Sequence, residues 1–217
     1  MVAERKVRII HIIETVIQHI VVLFFLLILW ELFKNYSFKS LGTWHIILCT
    51  LGFALCMAEA LILFSKDSVL LTGVDRVTKG KYHAVVMFIA FLCITIGISL
   101  KIYQKADEGR HHFTTTHGRL GLSAWILVII SIFAGMAAAK PNVFLNFARP
   151  VWFKLFHLIV GAAAYIIGIV TVGYGLHYLQ QYTGENGRIA LLVFLIIYVV
   201  YSLIGSVLTC YNLVLNK

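Results

Sequence analysis

Long apolar runs separated by short polar segments constrain this chain more than any other feature. Six of them, at about 9–33, 44–64, 82–103, 118–139, 152–179 and 189–212, reach the length of roughly 20 residues that a helix needs to cross a bilayer. The intervening segments, 34–43, 65–81, 104–117, 140–151 and 180–188, carry the Gly, Pro, Asn, Asp and Lys expected of turns, and none is long enough to be a domain. Of the 217 residues 61% are hydrophobic and 12% charged. A soluble domain is about half apolar and a quarter charged, so a water-soluble globular fold is excluded. The expectation is an all-α membrane protein, a single unit over 1–217 with six transmembrane helices and a core at about 44–179.

The net charge of +9 raises the question of nucleic acid. The basic residues instead sit at span ends and in short loops, with no aromatic-interleaved basic stretch, and the expectation is no nucleic-acid partner. The first span follows Glu4-Arg5-Lys6-Val7-Arg8, is too long for a signal-peptide core and lacks a small-residue cleavage site, so it reads as a retained anchor. With the N-terminus inside, the inner set is Arg5, Lys6, Arg8, Lys66, Arg76, Lys79, Lys81, Lys140, Arg149, Lys154 and Lys217. It outnumbers Lys34, Lys39, Lys101, Lys105, Arg110, Arg119 and Arg188 outside, which places both termini in the cytoplasm. Cys49, Cys56, Cys93 and Cys210 all fall in apolar runs without a Cys-x-x-Cys pair. That excludes a disulfide framework, a zinc ribbon and a covalently attached c-type haem.

Four histidines carry the chemistry. His45 opens the second span, His83 the third and His117 the fourth, and His157 lies about a turn into the fifth. Successive spans run in opposite directions, so His45 and His117 share the outer side, and His83 and His157 the cytoplasmic side. A four-helix bundle formed by the second to fifth spans, with one imidazole pair per leaflet, is what two stacked b-type haems require, each iron taking one axial His from each of two helices. From three of these histidines, steps of three and four residues trace faces rich in small side chains: Cys49, Gly52 and Cys56, continuing to Glu59; Gly121, Ala124 and Gly135; Gly161, Ala164, Gly168 and Gly175. A flat macrocycle needs such a face, although small-residue stripes also serve as ordinary helix-packing surfaces. Glu59, about 14 residues beyond His45, falls near the cytoplasmic layer, as a tuning or proton-relaying group or as an interhelical hydrogen bond. His11, Glu14, Gln18 and His19 form a polar stripe on the first span, outside the four-helix core.

Several strings in fixed order resemble the cytochrome b561 family, specifically its short six-helix members. They are Trp44-His45, Met57-Ala58-Glu59-Ala60-Leu61, Lys81-Tyr82-His83, Thr116-His117-Gly118-Arg119-Leu120-Gly121, and Lys154-Leu155-Phe156-His157 followed by Gly161. The chain departs from many members in having Ile46 after the first of these histidines. The resemblance implies an ascorbate-dependent transmembrane oxidoreductase with two non-covalent, bis-histidine b-type haems, pairing His45 with His117 and His83 with His157. Electrons would pass from cytoplasmic ascorbate to monodehydroascorbate or a ferric chelate on the other side. It further implies residence in an endomembrane and a possible homodimer.

Lys81 matches a family lysine that contacts ascorbate. Arg149, Lys154 and Lys79 make up the rest of a basic rim that could hold an ascorbate anion or haem propionates, or anchor the helix ends. His111 and His112, in the outer loop, are candidates for taking ascorbate's proton or binding ferric iron loosely. Two other classes compete: a di-haem anchor that passes electrons to a partner subunit, and a haem-free transporter using His and Glu as proton relays. Discontinuous helices would favour the transporter, yet Pro141 and Pro150 are the only prolines and both lie in one loop.

Overall fold

The computed structural model describes residues 2–64, 68–140 and 150–215, and all regular structure among them is helical. Helix α1 spans Val2–Asn35. Helix α2 starts where the Ser40 hydroxyl accepts the Gly42 N–H at 3.2 Å. It is α-helical over Leu41–Thr50, widens to a π-helix over Leu51–Cys56 and is α-helical again over Met57–Phe64. Helix α3 spans Arg76–Asp107, capped by the Asp75 carboxylate, which accepts the N–H groups of Val77 and Thr78 at 2.9 and 3.1 Å. Helix α4 spans Thr116–Ala139, with the Thr115 hydroxyl accepting the Gly118 N–H at 3.1 Å. These side chains occupy main-chain donors that the first turn of a helix leaves unpaired. Helix α5 spans Pro150–Leu215.

Among the described residues five helices are thus long and apolar enough to cross a membrane. The first four expected spans coincide with α1 to α4, and the fifth and sixth fall together in α5. That helix is interrupted at Gly184, whose φ of 69° and ψ of 175° suit a residue without a Cβ. The Tyr165 hydroxyl donates to Ser202 Oγ at 2.9 Å, the Ser202 proton being given to the Val199 carbonyl. On a straight helix those two residues would lie about 55 Å apart. The chain therefore doubles back at Gly184, and the arms 150–183 and 185–215 lie side by side.

Helix α1 buries one stripe, Ile17, Val21, Phe24, Ile28 and Leu32. Part of it shares a crevice with Phe194, Leu195 and Tyr198 of the second α5 arm. Its other faces leave large side chains open, with Trp30 62% and Phe33 68% exposed. Apolar surface on that scale suits lipid rather than water.

The π-helical segment sits at mid-height of α2. There Gly52 lies on the Ala90 carbonyl and Ile94 of α3, and the buried Phe53 lies on Gly168 of α5, where a Cβ would run into its ring. A π turn inserts an extra residue and rotates the remainder of the helix about its axis. Cys49 and Gly52 accordingly face α3, whereas Glu59 faces Tyr198 of the second α5 arm instead of prolonging their stripe.

Candidate functional site

The structure brings the four histidines together in two layers. His45 of α2 and His117 of α4 have ring centroids 6.0 Å apart, and His83 of α3 and His157 of α5 have theirs 6.3 Å apart. All four rings are half-buried.

Each ring is held from behind by a main-chain carbonyl of a neighbouring helix. His45 Nδ1 donates to Gly97 O at 3.0 Å and His83 Nδ1 to Ala60 O at 3.0 Å, so α2 and α3 clamp one another's histidine. His117 Nδ1 donates to Thr171 O at 3.0 Å and His157 Nδ1 to Ser131 O at 2.9 Å, so α4 and α5 repeat the arrangement. A carbonyl oxygen can only accept, which places the ring proton on Nδ1 in every case and leaves Nε2 with a free lone pair. Metal-ligating histidines are held in this way, the second nitrogen fixing tautomer and orientation.

The spacing matches the same chemistry. With a metal–imidazole distance of about 2 Å and about 1.1 Å from nitrogen to ring centre, a metal between two imidazoles puts their centroids about 6 Å apart. The observed 6.0 and 6.3 Å are separations of that size.

The glycines of the expected stripes divide by role. A Cβ at Gly135 would stand 2.9 Å from His157 Cε1, so this glycine makes room for that ring, whereas one at Gly175 would meet His117 Cε1 at an ordinary 3.5 Å. Gly52 and Gly168 instead serve close helix packing, as does Gly97 of α3, where a Cβ would lie 2.9 Å from Cys49 Sγ.

Lys81 and Lys154 are exposed at the end of the bundle that holds His83 and His157. Lys79, expected beside them on the rim, is instead 6% exposed and bears electrostatically on Glu14 of α1. Arg149 lies outside the described residues. At the opposite end, His111 and His112 are exposed, with the His111 carbonyl accepting from Lys105 Nζ at 3.2 Å. Lys101 bears electrostatically on both His45 and His117, and Lys105 on His117, although by sequence both read only as anchors. The carbonyls of Gly97, Ala60, Thr171 and Ser131 are not legible in the sequence, since any residue type supplies one; the small side chains at or beside them are the available signal.

A multi-helix apolar bundle holding two facing histidine pairs defines the class: a helical membrane protein with an imidazole pair at each of two levels. Residues 44–182 match the family described as eukaryotic cytochrome b561, and the chain belongs to that family. The family implies haem, and the paired, clamped imidazoles fit it.

The transmembrane reductase CYB561D2 of Mus musculus is 33% identical over 142 residues, covering 64% of this chain and 62% of that protein. Its Homo sapiens counterpart is 32% identical over 142 residues, with the same coverage of 64% and 62%. The probable transmembrane reductase CYB561D1 of Mus musculus is 28% identical over 162 residues, covering 75% of this chain and 69% of that protein. The chain thus spans about 62% of the length of the CYB561D2 relatives from mouse and human.

Proposed function

We propose that this chain crosses the membrane six times and is a transmembrane reductase. It holds one b-type haem between His45 and His117 and a second between His83 and His157. It carries electrons from cytoplasmic ascorbate to monodehydroascorbate or a ferric chelate on the other side of an endomembrane. The observation that carries this reading is the commitment of all four Nδ1 atoms to main-chain carbonyls, at 2.9 to 3.0 Å, behind ring pairs 6.0 and 6.3 Å apart. The relatives named transmembrane reductases support the activity.

When bound, the two haems supply one-electron couples at two depths. The protein's own part is orientation, exclusion of water and recognition of anions. The carbonyl clamps fix each imidazole before any metal arrives, and Gly135 leaves the His157 ring its space. Phe53 and Gly168 close the middle of the bundle. Lys81 and Lys154, with Arg149, are the groups to hold an ascorbate monoanion at the cytoplasmic rim, because an anionic oxygen ligand needs fixed cations. Lys101 and Lys105 are placed to serve propionates or an acceptor at the opposite rim, beside His111 and His112.

The test is a sealed vesicle carrying the purified protein, with ferric chelate trapped inside and ascorbate outside. Trapped iron is reduced, and Lys81→Ala raises the ascorbate concentration needed by roughly tenfold, the worth of a charge-assisted contact of about 1.4 kcal/mol. Vesicles whose protein holds both haems but passes no electron to the trapped iron contradict the reading.

A further inference from the structure

Resting on that reading, we propose that Glu59 is the proton-accepting group of the His83/His157 layer. When this layer gains one electron, the Glu59 carboxylate takes up one proton from the cytoplasmic side, so that no net charge is added to the apolar interior. The electron comes from an ascorbate monoanion, which leaves as monodehydroascorbate and releases one proton to water. The bond formed in the protein is an O–H on the Glu59 carboxyl, and none of its existing hydrogen bonds need break.

Position singles out this carboxyl. Glu59 is joined by one peptide bond to Ala60, whose carbonyl accepts the His83 Nδ1 proton at 3.0 Å. The π turn above it swings the side chain away from α3 and into the seam between α1, α2 and the second α5 arm. There Tyr198 Oη donates to Glu59 Oε1 at 2.9 Å. The other titratable groups facing it are Glu14 of α1, Cys56 of its own helix and Tyr165 beyond Tyr198, and none of these is a cation. Negative charge arriving nearby in a low-dielectric setting raises a carboxylate's affinity for a proton, since a second uncompensated charge there is costly.

A supply line leads to the same place. Glu14, 2% exposed, accepts the Val69 N–H at 2.9 Å in the segment between α2 and α3, with Lys79 and His11 bearing on it. One turn further on the same face of α1, Gln18 Nε2 is buried without a hydrogen-bond partner. A buried donor in this condition, one turn from the Glu14 carboxyl, is a place for an ordered water.

The experiment is a redox titration of the haem-loaded full chain between about pH 5 and about pH 8, spanning the range in which a perturbed carboxyl titrates. The His83/His157 component is identified as the one retained in the His45→Ala protein. In the unmodified protein its midpoint potential falls as pH rises, by up to about 59 mV per unit, the tenfold conversion for one electron. In Glu59→Gln the potential stays at the high, low-pH value throughout, because the amide mimics the neutral acid. The reduced-minus-oxidised infrared spectrum carries a carboxylic acid C=O band that is absent from Glu59→Gln. A pH-independent potential in the unmodified protein overturns the proposal without any variant, and so does an unchanged slope in Glu59→Gln. A purified protein with no b-type absorbance overturns the functional reading itself, which separates the two failures.

Discussion

Every one of the four histidines gives its Nδ1 proton to a main-chain oxygen, so the hold on each ring survives most side-chain changes around it and depends on how closely two helices approach. Removing the ring is the direct perturbation: His83→Ala or His157→Ala protein will carry one haem, and His45→Ala will keep the layer that ascorbate reaches. Retention of two haems by His157→Ala would break the pairing. Crowding the ring is subtler. A Cβ at Gly135 would press on His157 Cε1 and Nδ1 at 2.9 and 3.1 Å, whereas one at Gly121 would meet Thr171 Cγ2 at an ordinary 3.4 Å. Gly135→Ala therefore loses or weakens one haem while Gly121→Ala keeps both, as the haem-to-protein ratio will report; overpacking of this kind costs about 1–3 kcal/mol. The facing rings stand at 85° and 89° to one another. Perpendicular imidazole planes leave the two iron orbitals that interact with them nearly equivalent, so the oxidised protein should give strongly anisotropic low-spin EPR signals from both centres, and parallel-plane spectra would contradict the ring geometry. The four histidines proposed as ligands were legible in the sequence because ionisable groups are scarce at span depth. The burial of Lys79 was not, because the side of the helix a lysine occupies depends on which neighbour packs there.

Helical elements were legible where their pattern is unbroken and illegible where it is not. The stripe from His45 through Cys49 and Gly52 follows α-helical spacing, and extending it to Glu59 assumed 3.6 residues per turn throughout. The π turn over Leu51–Cys56 breaks that assumption, and no residue in the segment announces it. Its cause is visible only in three dimensions: Gly52 seats on α3 while Phe53 fills the dent above Gly168 of α5. Phe53→Ala empties that dent, an expected loss of about 3–5 kcal/mol, and Gly168→Ala overfills it, an expected loss of about 1–3 kcal/mol. Denaturation in detergent, followed by circular dichroism, will show both losses; a neutral Gly168→Ala would mean that the Phe53 ring moves aside freely. The reversal in α5 is the converse case. The sequence marks 180–188 as a loop, yet helix extends almost to Gly184 from both sides, because one residue with positive φ suffices to turn the chain.

At the scale of the molecule, α2 with α3 and α4 with α5 form two helix pairs, each clamping its own histidines, while each facing ring pair spans from one helix pair to the other. Direct ties across the divide include Trp125 Nε1 donating to Thr95 Oγ1 at 3.0 Å and Phe53 against Gly168. A cofactor coordinated by both rings of a facing pair would tie the two helix pairs together, and binding to the folded state alone stabilises it by about 2.7 kcal/mol at a hundredfold excess over Kd. Haem-depleted protein should melt several degrees lower than loaded protein and be cut sooner by protease between the helix pairs; equal melting temperatures would argue against a bridging role. The alternating register of the spans already implied the two histidine layers, but the main-chain clamps that join α2 to α3 and α4 to α5 required the fold. The most direct measurement of the central claim is the haem-to-protein ratio of the purified chain, read with its optical spectrum before and after ascorbate. Two b-type haems per chain, both reducible by ascorbate, are predicted; fewer than two, or haem that ascorbate leaves oxidised, would contradict the account.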